Sequence, residues 1–114
     1  MIYRTVNFEL GMPAVSEIPK RLENEINLSK SYGVKVLKII HGYGSSGKGG
    51  KIRTCLRREL DERLKKGSLK TVIHGEKFSI FDESTRGILY LDKAIRRDPD
   101  LDRANNGITI IVFK

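Results

Sequence analysis

The chain has 114 residues, 39% of them hydrophobic and 32% charged, the make-up of one soluble globular domain large enough to fold without staples. It lacks any run approaching the roughly 18 apolar residues of a membrane span, and its start lacks a charged-then-apolar leader, so a cytoplasmic protein with no membrane partner is expected. Cys55 is the only cysteine, which excludes an intrachain disulfide and a cysteine-built zinc site. Lys and Arg number 22 against 14 Asp and Glu, a net charge of +8 that favours a polyanionic partner, because each phosphate neutralised releases counterions.

The elements alternate along the chain. Ile2 to Leu10 reads as a strand, with Val6, Phe8 and Leu10 alternating against Thr5, Asn7 and Glu9. Gly11 and Pro13 break it. From Pro13 to about Ser31 the apolar residues Val15, Ile18, Leu22 and Ile26 recur at helical spacing, with Pro19 marking a helix start or a kink and Gly33 a C-cap. Val34 to Ile40 has apolar residues on both faces by its end, the pattern of a strand covered on both sides in mid-sheet. A second helix is expected from about Gly50 to Lys66, on a stripe of Ile52, Cys55, Leu56, Leu60 and Leu64, with Gly67 ending it. Cys55 on that stripe reads as a small core residue.

Leu69 to Ile73 reads as a third strand, with Phe78 to Phe81 as a candidate continuation. Asp82 or Ser84 is placed to cap a helix reaching about Arg97, with Ile88, Leu91 and Ile95 inward and Asp98-Pro99 as its stop. Asn105-Asn106-Gly107 is a turn, and Ile108 to Phe113 is the strongest strand signal in the chain. The order predicts an α/β fold with a roughly four-stranded mixed sheet and two or three helices, in two layers or three.

Between the second strand and second helix runs Ile40-His41-Gly42-Tyr43-Gly44-Ser45-Ser46-Gly47-Lys48-Gly49-Gly50-Lys51-Ile52-Arg53, with five glycines in the nine residues from Gly42 to Gly50. A strand entering and a helix leaving such a loop turn backbone N–H groups toward one point at the positive end of the helix dipole. Lys48, Lys51 and Arg53 oppose that dipole, and the first acid is Glu59, so an anion is expected to meet them there. The stretch from Lys48 to Lys70 holds nine basic residues against three acidic ones. In the later helix, Arg57 with Asp61 and Arg58 with Glu62 fit i,i+4 ion pairs that need no ligand. The expected phosphate site thus comprises Gly42, Tyr43, Gly44, Ser45, Ser46, Gly47, Lys48, Gly49, Gly50, Lys51, Arg53 and Arg57.

Two nucleotide motifs fit the loop in part. Gly42-x-Gly44-x-x-Gly47 satisfies the dinucleotide fingerprint, but His74-Gly75 follows the next strand where a ribose-binding acid belongs. Gly42-x-x-x-x-Gly47-Lys48 resembles a P-loop, but Gly49 replaces the Ser or Thr that binds magnesium. A non-catalytic phosphate- or nucleotide-binding protein remains the alternative reading.

The His41 to Arg53 stretch, with its strand ending in His-Gly-x-Gly and a helix opening on Ile-Arg, resembles the signature of the Smr (small MutS-related) domain. The preceding strand and helix, and the Asn-Gly turn before a closing Thr-containing strand, extend the resemblance over most of the chain as one Smr-like domain. It implies an α/β sandwich that binds nucleic acid, in some members with endonuclease activity on DNA or RNA, and makes the helical stretch of about 82–104 an insertion. The family's other motif, Asp-Leu-His-Gly at the end of the first strand, is replaced here by Asn7-Phe8-Glu9-Leu10-Gly11. With Gly11 in register, Phe8 and Leu10 occupy the Asp and His positions and neither transfers protons; shifting the register by one gives Asn7 and Glu9, and no register restores a histidine.

The remaining candidates for chemistry are His41 at the loop mouth, as general acid, base or orienting group, and His74, which adjacent parallel strands would bring to the same sheet edge. Glu9 and Glu76 are possible helpers. Tyr43 is placed to stack a base. Two histidines without clustered acids make a poor metal site, so neither metal nor cofactor is expected. DNA or RNA is the expected partner, and the small footprint of one domain is compatible with a dimer or a ribosome-bound form.

Overall fold

The computed structural model describes residues 1–11, 14–42 and 48–114, the side chains at 48 and 49 excepted. Four strands form one mixed sheet in the order β1-β2-β4-β3, with β1 Tyr3–Asn7, β2 Val36–Ile40, β3 Thr71–His74 and β4 Ile108–Val112. β1 runs parallel to β2, while β4 is antiparallel to both β2 and β3. The chain thus sends β1, β2 and β3 in one direction and slots its last strand between the second and third. β4 is buried at every position and β2 at four of five, as expected for strands covered on both faces.

Strand alternation divides the apolar side chains into two cores. Leu37, Ile39, Ile111 and Phe113 face α1 (Ile18–Ser31) and α2 (Lys48–Lys65), meeting Leu22 and Ile26 of the first and Ile52, Leu56 and Leu60 of the second. Val36, Ile73, Ile108, Ile110 and Val112 face the other way, onto Phe78, Ile88 and Ile95. Those last two belong to α3 (Glu83–Leu89) and α4 (Lys93–Arg96), which add a partial third layer.

The helix boundaries follow local chemistry. Pro19 lies in the first turn of α1, so it starts the helix rather than kinking it, and a one-turn 3-10 helix at Val15–Glu17 precedes it. Asp82 caps α3 by accepting the Thr85 N–H at 2.9 Å. The single helix expected from there to about Arg97 is divided, because Asp92 caps a second start by accepting the Ala94 N–H at 2.9 Å. Phe78 to Phe81 does not continue β3. A 3-10 turn at Gly75–Lys77 ends that strand, Phe78 alone is buried, and Phe81 is exposed.

One charge lies inside this framework. Lys38 of β2 is 4% exposed and points its ammonium at the loop after α4, donating to Asp98 Oδ1 at 2.8 Å, Asp98 Oδ2 at 2.9 Å and Asp100 Oδ2 at 2.6 Å. The Tyr3 hydroxyl donates to Asp98 Oδ2 at 2.6 Å, and Asn105 Nδ2 donates to Asp100 Oδ1 at 3.0 Å. Burial, with the Asp98 carboxylate beside it, raises the Tyr3 phenol well above its ordinary range. Burial pushes the Asp100 carboxyl up, but the hydrogen bonds from Lys38 and Asn105 and the Lys38 charge together hold it below the ordinary carboxylate range.

Removing one member of a buried ion cluster leaves the others uncompensated, at a cost of about 3–5 kcal/mol. Lys38→Met is therefore expected to lower the urea-unfolding free energy by about that amount. An exposed-lysine control, Lys93→Met, should change it by less than about 0.5 kcal/mol.

Candidate functional site

The C-terminal ends of β1, β2 and β3 share one edge of the sheet, where open α/β sheets bind ligands. His41 follows β2 there and His74 ends β3. The expectation that adjacent strands carry them is corrected by the topology, since β4 runs between. Its residue Thr109 is the link. Thr109 is the register partner of His74, and its Oγ1 lies 2.9 Å from His41 Nε2. Alternation puts all three on the α2 face, in the row His41–Thr109–His74.

His41 is fully buried, and its other ring nitrogen, Nδ1, lies 2.6 Å from the Gly42 carbonyl oxygen. Both ring nitrogens are thus engaged by protein atoms, Nδ1 donating to the carbonyl and Nε2 accepting from the threonine hydroxyl in the neutral tautomer this pattern favours. The backbone is held equally firmly: the His41 and Gly42 N–H groups both donate to the Gly107 carbonyl, at 2.9 and 3.0 Å. Gly42 has φ +76, which favours glycine there, and a Cβ would lie 3.0 Å from Glu9 Oε2. The same contact places the Glu9 carboxylate at the loop mouth. Phe8 beside it is fully buried, with the Arg21 guanidinium 4.5 Å above its ring.

Tyr43, Gly44, Ser45, Ser46 and Gly47 lie outside the described residues. Lys48 and Gly49 open α2, and of the expected site residues beyond them Gly50 is half-buried, Lys51 exposed and Arg53 half-buried. Gly50, Lys51 and Thr54 wall a depression of about 580 Å³ that Val15, Cys55 and Arg58 complete. Cys55 is a buried core residue, as its place on the stripe implies.

Arg57 departs from expectation. Instead of pairing with Asp61 one turn on, its Nη2 donates to Glu76 Oε1 at 2.6 Å, tying α2 to the turn after β3. Arg57 Nε and His74 Nδ1 are both buried and have no hydrogen-bond partner among the described residues. Beside them Gly75 is pressed against the 105–107 turn, where a Cβ would overlap the Asn105 carbonyl oxygen. Sequence reasoning missed Thr109, Asn105 and Gly107 as parts of this edge. Their signals were a lone threonine in an apolar strand and an Asn-Gly turn. Among the described residues no group of three or more His, Cys, Asp or Glu could hold a metal ion, and no helix is long and apolar enough to cross a membrane.

Burial pushes the His41 imidazole from its ordinary 6.5 down to about 4, and Arg57 and Arg53 push the same way against its hydrogen bond to Gly42. Burial and Arg57 lower His74 as well. An unfolded chain therefore takes up protons near pH 6.5 that folded His41 refuses until about 4. The resulting stability is present above pH 6.5 and drains away as the pH falls toward 4, by up to about 3 kcal/mol. The His41 ring is expected to titrate near pH 4 by NMR. His41→Gln should flatten the pH dependence of the melting temperature between 6.5 and 4.

Compared by sequence, the chain matches no family model and no curated protein. Compared by structure, it is similar to the Smr domain of MutS2 from Thermus thermophilus, with a TM-score of 0.56 and 12% identity over 100% of this chain and 99% of that one. At this identity the likeness is one of backbone, and it agrees with the four-stranded mixed sheet and its strand-to-helix crossing after His41. The chain has the fold of an Smr domain.

Proposed function

We propose that residues 1–114 act as one Smr-like nucleic-acid-binding domain, with about 82–104 an insertion before the last strand. The sugar-phosphate backbone is held at the β2–α2 crossing. Backbone N–H groups between Gly42 and Gly50 receive a phosphate, Lys48, Lys51 and Arg53 supply the charge, and Arg57 extends it toward β3. The observation that carries this reading is the crossing itself: in an Smr-type fold, a strand ending in His41-Gly42 leads to a helix that opens on cations where the dipole favours anions. The net charge of +8 supports it.

In this reading His41 orients the loop. A fully buried ring with both nitrogens engaged is badly placed to exchange protons with a substrate, and its tautomer fixes the Gly42 carbonyl at the loop mouth. Whether Phe8 and Leu10 or, one register along, Asn7 and Glu9 stand where the family carries Asp and His, the histidine of that motif is missing. A second reading, phosphodiester cleavage, is favoured by one observation only. His74 keeps a buried ring nitrogen without a partner among the described residues, beside Arg57. There His74 would move the proton and Arg57 would stabilise the charge of the transition state.

Binding of fluorescent single-stranded and branched DNA and RNA across a salt series tests the first reading, and a denaturing gel of the same samples tests the second. Alanine at Lys48, Lys51 and Arg53 together should weaken all sequences alike and reduce the salt slope by roughly 0.7 for each single-strand phosphate no longer neutralised. An unchanged slope would remove that patch from the interface. Intact strands would leave a binding module, while cleavage that disappears in His74→Ala with binding retained would establish the nuclease.

A further inference from the structure

Phe81 is 85% exposed, yet the turn that carries it is pinned on every side. The Ile80 N–H donates to Asp102 Oδ1 at 2.9 Å, the Phe81 N–H to Ser79 Oγ at 3.2 Å, and Arg86 Nη1 to the Ile80 carbonyl at 3.2 Å. The Asp102 N–H in turn donates to the Phe78 carbonyl at 2.9 Å. A large ring is thus held out in water by a turn with little freedom to fold it away.

The surroundings of the ring indicate what it meets. Phe81 and Glu76 wall two shallow depressions of about 410 and 230 Å³, which also share Ser79. Asp102 and Ala104 complete the larger one. Asp102 and Ala104 are also the two non-glycine residues with positive φ among the described residues, at 64° and 52°. Backbone held in that region by residues other than glycine stores strain, which tends to collect at ligand sites. The larger depression sets the carboxylates of Glu76 and Asp102 beside one flat aromatic face, and Lys77 and Asp82 complete the smaller one. Glu76 also holds Arg57, so the depressions adjoin the edge where the phosphate backbone is bound in the reading above.

We propose that this depression is a subsite for one unpaired nucleobase, which stacks on Phe81 and turns an amino group toward the carboxylates of Glu76 and Asp102. The inference rests on the nucleic-acid reading and adds a base-contacting site to it, where Glu76, Ser79 and Phe81 meet Asp102 and Ala104 of the 82–104 segment. Aromatic faces stack any base, and carboxylates accept hydrogen bonds from the amino groups of cytosine, adenine and guanine, which thymine and uracil lack. Among the described residues, Asp102 and Glu76 leave no unpaired cation in the larger depression to hold a phosphate, so the base enters there while its backbone stays on the cations of α2.

The test is anisotropy binding of wild type and Phe81→Ala to cytosine and thymine single strands, and to an abasic sugar-phosphate strand of equal length. Phe81 is exposed, so the alanine variant should keep its melting temperature. It is expected to bind the cytosine strand roughly 5- to 100-fold more weakly, with the abasic strand and the salt slope unchanged. Phe81→Trp, the sole tryptophan of the chain, should restore affinity and lose fluorescence when a base stacks on it. Wild type should favour cytosine over thymine, and Asp102→Asn should narrow the difference. Equal binding of the cytosine strand by wild type and Phe81→Ala would overturn the subsite while leaving the nucleic-acid reading intact. An equal loss on the abasic strand would overturn it too. Failure of wild type to bind any strand at low salt would sink both.

Discussion

The ammonium of Lys38 governs more of this molecule than any other single group. Buried in a central strand, it is tolerable only because Asp98 and Asp100 meet it, and those carboxylates lie on the loop between α4 and β4. The loop therefore has one place to lie. Asn105 passes that constraint on: its Nδ2 donates to Asp100 and its Oδ1 accepts the Gly107 N–H at 2.9 Å. Gly107 then receives both N–H groups of His41-Gly42, while Gly75 abuts the Asn105 carbonyl. A charge on the α3–α4 face of the sheet thus sets the starting point of the glycine loop on its edge.

The row His41–Thr109–His74 joins the two strand ends that such a loop must serve. Its members differ in how they are held. His41 is closed in by the protein on both ring nitrogens, whereas His74 is half-buried with one nitrogen lacking a partner among the described residues. Two histidines that look equivalent in the sequence, each followed by glycine, are therefore physically different groups. One acts as part of the frame, and the other faces the charged pair of Arg57 and Glu76.

The elements with long, consistent periodicity were legible without a structure. β2 announced its double cover through apolar residues on both faces, β4 announced itself as the strongest strand, and α2 announced its buried stripe. Short elements with competing signals were not. Ile88, Leu91 and Ile95 fit one helical face, which concealed the restart that Asp92 imposes, and the apolar run Phe78 to Phe81 imitated a strand although only Phe78 turns inward. At the candidate site, the glycine pattern and the cations of α2 could be read directly. What the sequence hid was everything that depends on partners far along the chain. Lys38 in a strand reads as a solvated alternate residue, and nothing near His41 signals a threonine 68 positions away.

The placement of β4 also orders events in time. During synthesis β1, α1, β2, α2 and β3 all emerge before the strand that joins β2 to β3, and until residues 108–112 arrive β3 has no neighbour to pair with. The β2–β4 pairings that close the sheet are the longest-range pairings within it, which makes folding slower than the helices alone would allow. Gly107, Thr109 and the Asn105 carbonyl arrive with that strand, so the histidine row assembles only when the sheet does. A partly made chain thus carries α2 without the frame that fixes the strand ends beside it.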